Sequence, residues 1–133
     1  LPADVILARI IVRLAAVLGH TYPLWFKNWQ GGKGVATSVG VFLVLSPWGL
    51  ITALVVFLLV LLLTKYLSLG SILGTISLLV YHFSAVIVNQ ESIFSYKVFW
   101  LSLLVVLIAT VIIYKHRDNI QRLLKGQENK FSF

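Results

Sequence analysis

The sequence predicts an all-α fold, a polytopic membrane helix bundle of about five helices that forms a single integral membrane domain over residues 1–133. Three observations predict it. Hydrophobic residues make up 59% of the chain and charged residues 11%, with a mean hydropathy of +0.97, whereas an ordinary soluble domain carries about 25% charged residues. The apolar residues fall in runs that approach or reach the roughly 20 residues a spanning helix needs, broken by short polar segments. The cations are lopsided. Lys27, Lys33, Lys65, Lys115, Arg117, Arg122, Lys125 and Lys130 are eight of the eleven, and alternate crossings put all eight on one side. An excess of Lys and Arg marks a cytoplasmic face.

Taken in order, residues 3–18 are apolar apart from Asp4, Arg9 and Arg13, and the spacing of four puts both arginines on one helix face. Spanning the bilayer, this helix would hold Arg9 roughly 13 Å from the level of Leu18 at 1.5 Å per residue, deep enough to require a helical neighbour outside this sequence. Lying in the interface, it would leave both arginines solvated. Residues 34–45 make a hydrophobic segment of about a dozen residues, short for a crossing, so the helix must begin within the headgroup layer or tilt little. Pro47 marks the turn that follows. Residues 48–64 are a clear span, with Trp48 at one interface and Lys65-Tyr66 at the other. Ser68-Leu69-Gly70-Ser71 interrupts the pattern before a further span to residue 88, in which Gly70 and Gly74 form a small-xxx-small pair suited to close helix approach. His82 stands alone in that span without an acidic partner in the apolar runs and is expected to hydrogen-bond within the bundle. The last span, residues 98–114, delivers the chain to a cytoplasmic tail, residues 115–133, with a short helix through residue 124.

Composition excludes several functions. The chain has no cysteine, which removes disulfides and thiolate chemistry. His20, His82 and His116 are widely separated and only four carboxylates exist, so no metal site and no cofactor is expected. The net charge of +7 follows from the one-sided loops, and no basic stripe interleaved with aromatics remains to track a nucleic acid. The chain opens without Met, which reads as a fragment or a processed product, and no small-residue cleavage site follows residues 1–18, so they do not read as a signal peptide.

Two polar islands hold most of the available chemistry: His20-Thr21-Tyr22-Pro23 leading to Gly31-Gly32-Lys33-Gly34, and Lys115-His116-Arg117-Asp118-Asn119. Four hydrophobic stretches separate them, so crossing by each returns both islands to one face. Glycines before a helix let the backbone approach an oxyanion, the first helical amides point at it, and Lys33 adds a full charge. The fitting ligand is a phosphate. A Walker A loop is excluded, since Lys27 stands where it needs Gly and Gly34 where it needs Ser or Thr. The plainer alternative is a flexible basic loop at a membrane surface. His116 and Asn119 are three apart and share a helix face, which suits an imidazole and an amide to orienting a hydroxyl; the plainer alternative is positive-inside punctuation.

Gly19-His20, Pro23, Gly31-Gly32-Lys33-Gly34-Val35-Ala36-Thr37, Ser68-Leu69-Gly70-Ser71, and His116-Arg117-x-Asn119-Ile120 with Arg122-Leu123-Leu124-x-Gly126-x-Glu128 together resemble the bacterial PlsY-type glycerol-3-phosphate acyltransferases, in order over essentially the whole chain. The resemblance implies a seven-helix family bundle of which this chain supplies roughly the last two thirds. It implies a multi-pass protein of the bacterial inner membrane with its active site on the cytoplasmic face. The implied reaction is transfer of a fatty acyl group from acyl phosphate to the 1-hydroxyl of glycerol 3-phosphate, giving lysophosphatidic acid and phosphate in phospholipid biosynthesis, with membrane lipid as the further partner. Such a transfer needs no covalent nucleophile, because an acyl phosphate already carries a good leaving group. Lys33 and the amides around Gly31, Gly32 and Gly34 are then the phosphate-binding candidates. His116 and Asn119 would position the acceptor, His116 either as base or as orienting group, and Ser68 and Ser71 would line the site. Glu128, with Lys125 and Lys130 as neighbours, is expected to brace the tail. The acyl chain would lie between helices, reached sideways from the bilayer. Two departures stand out: the family's Ser-, Arg-, Gly- and Asn-rich first motif has no counterpart, and residues 21–30 are one residue longer than the family spacing. The competing readings are an anion-binding or transport membrane protein, and a noncatalytic remnant.

Overall fold

Runs of Leu, Val and Ile in an apolar surround leave the backbone no partner but itself, and a helix satisfies every interior N–H and C=O within the segment. The computed structural model describes residues 1–23 and 32–133. Six helices follow in order: α1 (Ala3–Thr21), α2 (Val35–Leu45), α3 (Pro47–Thr64), α4 (Leu67–Val88), α5 (Tyr96–Lys115) and α6 (Arg117–Leu124). Among the described residues, α3, α4 and α5 are long and apolar enough to cross a membrane, and α2 is a shorter apolar helix.

Ser46 alone joins α2 to α3, and Pro47 takes the first helical position of α3, where its missing N–H breaks no bond. At the other end of α3, Lys65 adopts a left-handed conformation (φ 61°), so α4 starts two residues later and the two helices form a tight hairpin. Their backbones meet closely. A Cβ on Gly74 would stand 2.9 Å from the Ala53 carbonyl oxygen, and one on Gly70 3.0 Å from that of Phe57. The pair therefore serves helix contact as expected. The expected interruption at residues 68–71 is absent, because this segment forms the opening turns of α4. Its hydroxyls do not break the helix: Ser71 Oγ donates to the Leu67 carbonyl at 3.0 Å and Thr75 Oγ1 to that of Ser71 at 2.8 Å.

The core draws on all five long helices, with Ile10 and Val17 of α1 packed in one cluster with Phe42, Leu78, Leu104 and Ile108. The first helix is thus a member of the bundle and not an interfacial helix. Its Arg9 and Arg13 line, with Lys97, a cleft of about 250 Å³. His82 finds the partner expected of it: Nε2 lies 2.8 Å from Ser102 Oγ, tying α4 to α5.

At 1.5 Å per residue, the 11 residues of α2 rise about 16 Å and the 18 of α3 about 27 Å. Both run between the same two ends of the bundle, so α2 starts well below the rim on which α3 finishes. A Cβ on Gly34 would accordingly lie 3.7 Å from Cγ1 of Ile112, in the last turn of α5. Residues 32–34 thus dip into the end of the bundle, against the inner ends of α1 and α5.

Replacing Gly74 by Ala forces the α3–α4 hairpin apart at a backbone contact and is expected to cost about 1–3 kcal/mol, as overpacking does elsewhere. Thermal unfolding in detergent checks this; an unchanged midpoint would mean the hairpin has slack.

Candidate functional site

The site grows from two chain reversals. The first lies at Gly34, which precedes α2 with φ 80°, a conformation that strains any residue with a side chain. A Cβ there would also press on Thr21 Oγ1 at 3.1 Å. Gly32 donates its N–H to the His20 carbonyl at 3.2 Å, and a Cβ on it would collide with the His20 imidazole. Residues 32–34 are thereby held against the end of α1. Among the described residues no side chain caps α2, and its first amides point their N–H groups out of its N-terminal end.

The second reversal follows α6. Gly126 (φ 67°) donates to the Leu123 carbonyl at 3.2 Å and Gln127 to that of Arg122 at 2.7 Å. This is the paired-bond Schellman ending of a helix. It turns the chain so that Glu128 points back at the bundle. Glu128 Oε1 accepts from Ser68 Oγ at 2.8 Å and from Asn119 Nδ2 at 2.6 Å, and Oε2 accepts from Arg122 Nε at 2.8 Å. The carboxylate side chain is only 7% exposed. With its amide nitrogen held by Glu128, Asn119 presents Oδ1 to the loop, where it accepts from Lys33 Nζ. The two islands therefore meet at one end of the bundle, as four traverses require, and α2 counts as one of the four.

His116 caps the joint between α5 and α6 and is 2% exposed. Its Nδ1 lies 2.8 Å from the Ile112 carbonyl oxygen. A carbonyl only accepts, so Nδ1 carries the proton and Nε2 keeps its lone pair. Burial lowers the His116 pKa from the usual 6.5, helped by Lys33 and opposed by the Ile112 bond and Glu128, which keeps the ring neutral at pH 7. Burial also lowers the Lys33 pKa, against the pull of Glu128. For Glu128 burial acts upward, but the bonds from Asn119, Ser68 and Arg122 outweigh it and hold the carboxyl below its usual 4.5.

Below the polar network lies a cavity of about 210 Å³ between α2, α3, α4 and α5. Phe42, Phe57, Leu78 and Ile108 dominate its wall, and Ser38, Ser71 and Thr75 are its polar positions. Ser38 and Ser71 spend their hydroxyls on helix carbonyls, Ser38 on that of Gly34 at 2.6 Å. A cation and hydrogen-bond donors thus sit at the mouth of an apolar slot, an arrangement that can hold an anionic head with an apolar chain.

Of the residues singled out in the sequence, Lys33, Asn119 and Ser68 join one hydrogen-bonded network, and Gly32 and Gly34 shape the loop beside it. His116 lies at the neighbouring helix joint, and Ser71 faces the apolar slot instead of the network. Gly31 lies outside the described residues. The expected neighbours of Glu128 need correction: its partners are Ser68, Asn119 and Arg122, while Lys130 instead sits 5.7 Å over the Tyr66 ring. The turn at Gly126 is the reason, since it carries Glu128 away from its sequence neighbours. Sequence reasoning missed Glu128 and Arg122 as parts of the site. A carboxylate two residues past a glycine in a cationic tail was the available signal.

Replacing Glu128 by Gln removes a charge-assisted acceptor shared by three donors and should lower stability by about 2–3 kcal/mol. Because the folded-state pKa lies below 4.5, the contribution of Glu128 is fully present above that pH and is lost as pH falls through the lower folded value. Unfolding midpoints in detergent between pH 7 and strongly acidic pH should drop in the parent, and this component of the drop should vanish in Glu128→Gln.

The geometry agrees with what the chain is similar to. A family model described as glycerol-3-phosphate acyltransferase matches residues 2–126. A glycerol-3-phosphate acyltransferase of Finegoldia magna is 40% identical over 124 residues, which cover 93% of this chain and 58% of the relative. One of Fusobacterium nucleatum is 44% identical with the same coverage of both. The fold is similar to the crystal structure of PlsY, an integral membrane glycerol 3-phosphate acyltransferase, in its glycerol 3-phosphate form, with a TM-score of 0.75 and 35% identity over 96% of this chain and 67% of that one. The lysophosphatidic acid form of PlsY gives the same score. The chain spans about 58% of the length of these curated relatives. The match over nearly all of its length, with its apolar bundle, makes it an integral membrane protein that belongs to the glycerol-3-phosphate acyltransferase family.

Proposed function

We propose that this chain carries the phosphate-binding and acceptor-positioning parts of an enzyme that moves a fatty acyl group from acyl phosphate to the 1-hydroxyl of glycerol 3-phosphate. The products are lysophosphatidic acid and inorganic phosphate, in phospholipid synthesis. The observation that carries the reading is the contact between Lys33 and Asn119, 86 residues apart in sequence, at the mouth of an apolar slot. Residues 1–133 act as one membrane domain of a bacterial inner membrane, with the network and residues 115–133 on the cytoplasmic face. The one-sided cations support this orientation. The glycerol 3-phosphate and lysophosphatidic acid forms of PlsY support the substrate and product.

In this reading the acceptor hydroxyl attacks the carbonyl carbon of the acyl phosphate, a new ester C–O bond forms, and the bond from that carbon to the phosphate oxygen breaks. Phosphate leaves with its electron pair. Lys33 and the first amides of α2 stabilise phosphate charge, and Asn119, fixed by Glu128, orients Lys33. His116 Nε2 accepts the hydrogen of the acceptor hydroxyl. The acyl chain occupies the slot between α2, α3, α4 and α5, entered from the bilayer. Alignment of the two reactants supplies most of the acceleration, because the leaving group is already activated.

The test is release of phosphate from acyl phosphate by protein in detergent, with and without glycerol 3-phosphate, using this chain and a version extended at its N-terminus to the length of its relatives. Acceptor-dependent release is expected; its absence from both would overturn the reading. In the active protein, Lys33→Ala should reduce kcat/KM about 10- to 100-fold, the range for a charge-assisted bond. His116→Ala should lower kcat by about 100-fold or more. Since only the neutral ring can accept the hydrogen and its pKa is lowered, the acid limb of the rate profile should lie below pH 6.5 and disappear in His116→Ala.

A further inference from the structure

Residues 127–133 are not helical, yet they are held at two points. Glu128 is one. At the other, Phe131 donates its N–H to the Lys65 carbonyl at 2.6 Å, filling an acceptor that the end of α3 leaves without a helical donor. The tail thus runs as a strap from the turn after α6 to the tip of the α3–α4 hairpin. Around the second point, Lys65 Nζ lies 5.9 Å from the Phe133 ring centroid, Lys130 Nζ 5.7 Å from that of Tyr66, and the Phe131 and Phe133 rings meet edge to face at 5.2 Å.

The strap crosses the bundle at a defined height. Leu62, Leu63 and Leu67, which flank Lys65, are exposed apolar side chains on the ends of the two helices. In a membrane protein these face lipid. Phe131 and Phe133, themselves exposed, therefore lie where hydrocarbon gives way to headgroups. The exposed side-chain charges there are of one sign. Lys65, Lys125 and Lys130 are exposed, while the one acidic side chain of the strap, Glu128, is turned inward onto Arg122. Exposed aromatics flanked by lysines at this level fit an anionic lipid surface.

We propose that residues 127–133 form an interfacial strap that docks in the anionic headgroup layer through Phe131, Phe133 and these lysines. Docking holds Phe131 on Lys65 and, through the short connection, Glu128 on Ser68 and Asn119. Lys65 and Phe131 are positioning residues for the network, and the order of the site depends on the lipid around it. The physical claim stands apart from the identity of the reaction, and its test uses no turnover.

The chain contains no cysteine, so Phe133→Cys offers a single labelling point. The labelled protein is placed in vesicles of phosphatidylcholine alone or mixed with phosphatidylglycerol, each with nitroxide on the lipid headgroups. The expected result is stronger quenching in the mixed vesicles, returned to the neutral-lipid level by Lys125→Gln with Lys130→Gln. Hydrogen exchange over residues 125–133 of the unlabelled protein should be roughly tenfold slower in the mixed vesicles, as attraction of several lysines to the surface requires. Phe131→Pro, which deletes the donor to Lys65, should abolish that slowing, whereas Phe131→Ala, which keeps it, should retain part. Equal quenching in both lipids would overturn the docking, as would a tail that is not quenched. Quenching without any change in exchange would overturn its hold on Glu128.

Discussion

The buried carboxylate of Glu128 is the interaction on which the rest of the site depends. A carboxylate that is 7% exposed must be supplied with donors or protonated, and here Ser68, Asn119 and Arg122 supply them from α4 and α6. Each of those bonds also does something for its donor. Asn119 has its amide sense fixed, so that its oxygen faces Lys33. Ser68 is turned outward from its own helix, unlike Ser71, which bonds to a helix carbonyl. Three side chains from two helices thus share one carboxylate at this end of the bundle.

Helix lengths then decide where the network sits. Because α2 is 11 residues long and α3 is 18, Gly34 and the start of α2 lie below the rim instead of above it. Amides at the start of α2 and the ammonium of Lys33 are brought to the same level as the end of α5, beside His116. The close α3–α4 hairpin, possible because Gly70 and Gly74 lack side chains, sets Ser68 at the rim and Ser71 one turn lower, in the slot. One serine consequently faces polar partners and the other an apolar wall, although three residues separate them.

A polar site of this kind is consistent with its place at the end of an apolar bundle. Unpaired polar groups are costly away from water, and among the described residues no buried side-chain nitrogen or oxygen lacks a partner. His82 shows the same constraint in the middle of the bundle, where Ser102 answers it. The apolar slot beneath the network gives a hydrocarbon chain a dry wall, while its polar mouth can meet a charged group. Proximity of the two surfaces is what an acyl transfer between a lipid-like donor and a water-soluble acceptor needs.

Much of this was legible in the residues themselves. Hydrophobic runs determined the apolar helices and nearly their bounds, because an apolar surround forces the backbone to satisfy itself locally. The order of Gly31-Gly32-Lys33-Gly34, Ser68, His116 and Asn119 carried the family resemblance, and parity brought the two islands to one face. Local pattern failed at residues 68–71, where polar side chains read as a break yet bond back onto their helix or across to Glu128. It failed again for Glu128, whose sequence neighbours are lysines but whose partners come from 6, 9 and 60 residues away. Only the tertiary structure decides such partners, since a left-handed glycine at position 126 reverses the chain and the bond then depends on which elements stand at that end of the bundle. The sequence by itself determined which segments are apolar and where the donors and acceptors lie along the chain; packing decided which of them share a carboxylate, because hydrogen bonds act over about 3 Å regardless of separation in sequence.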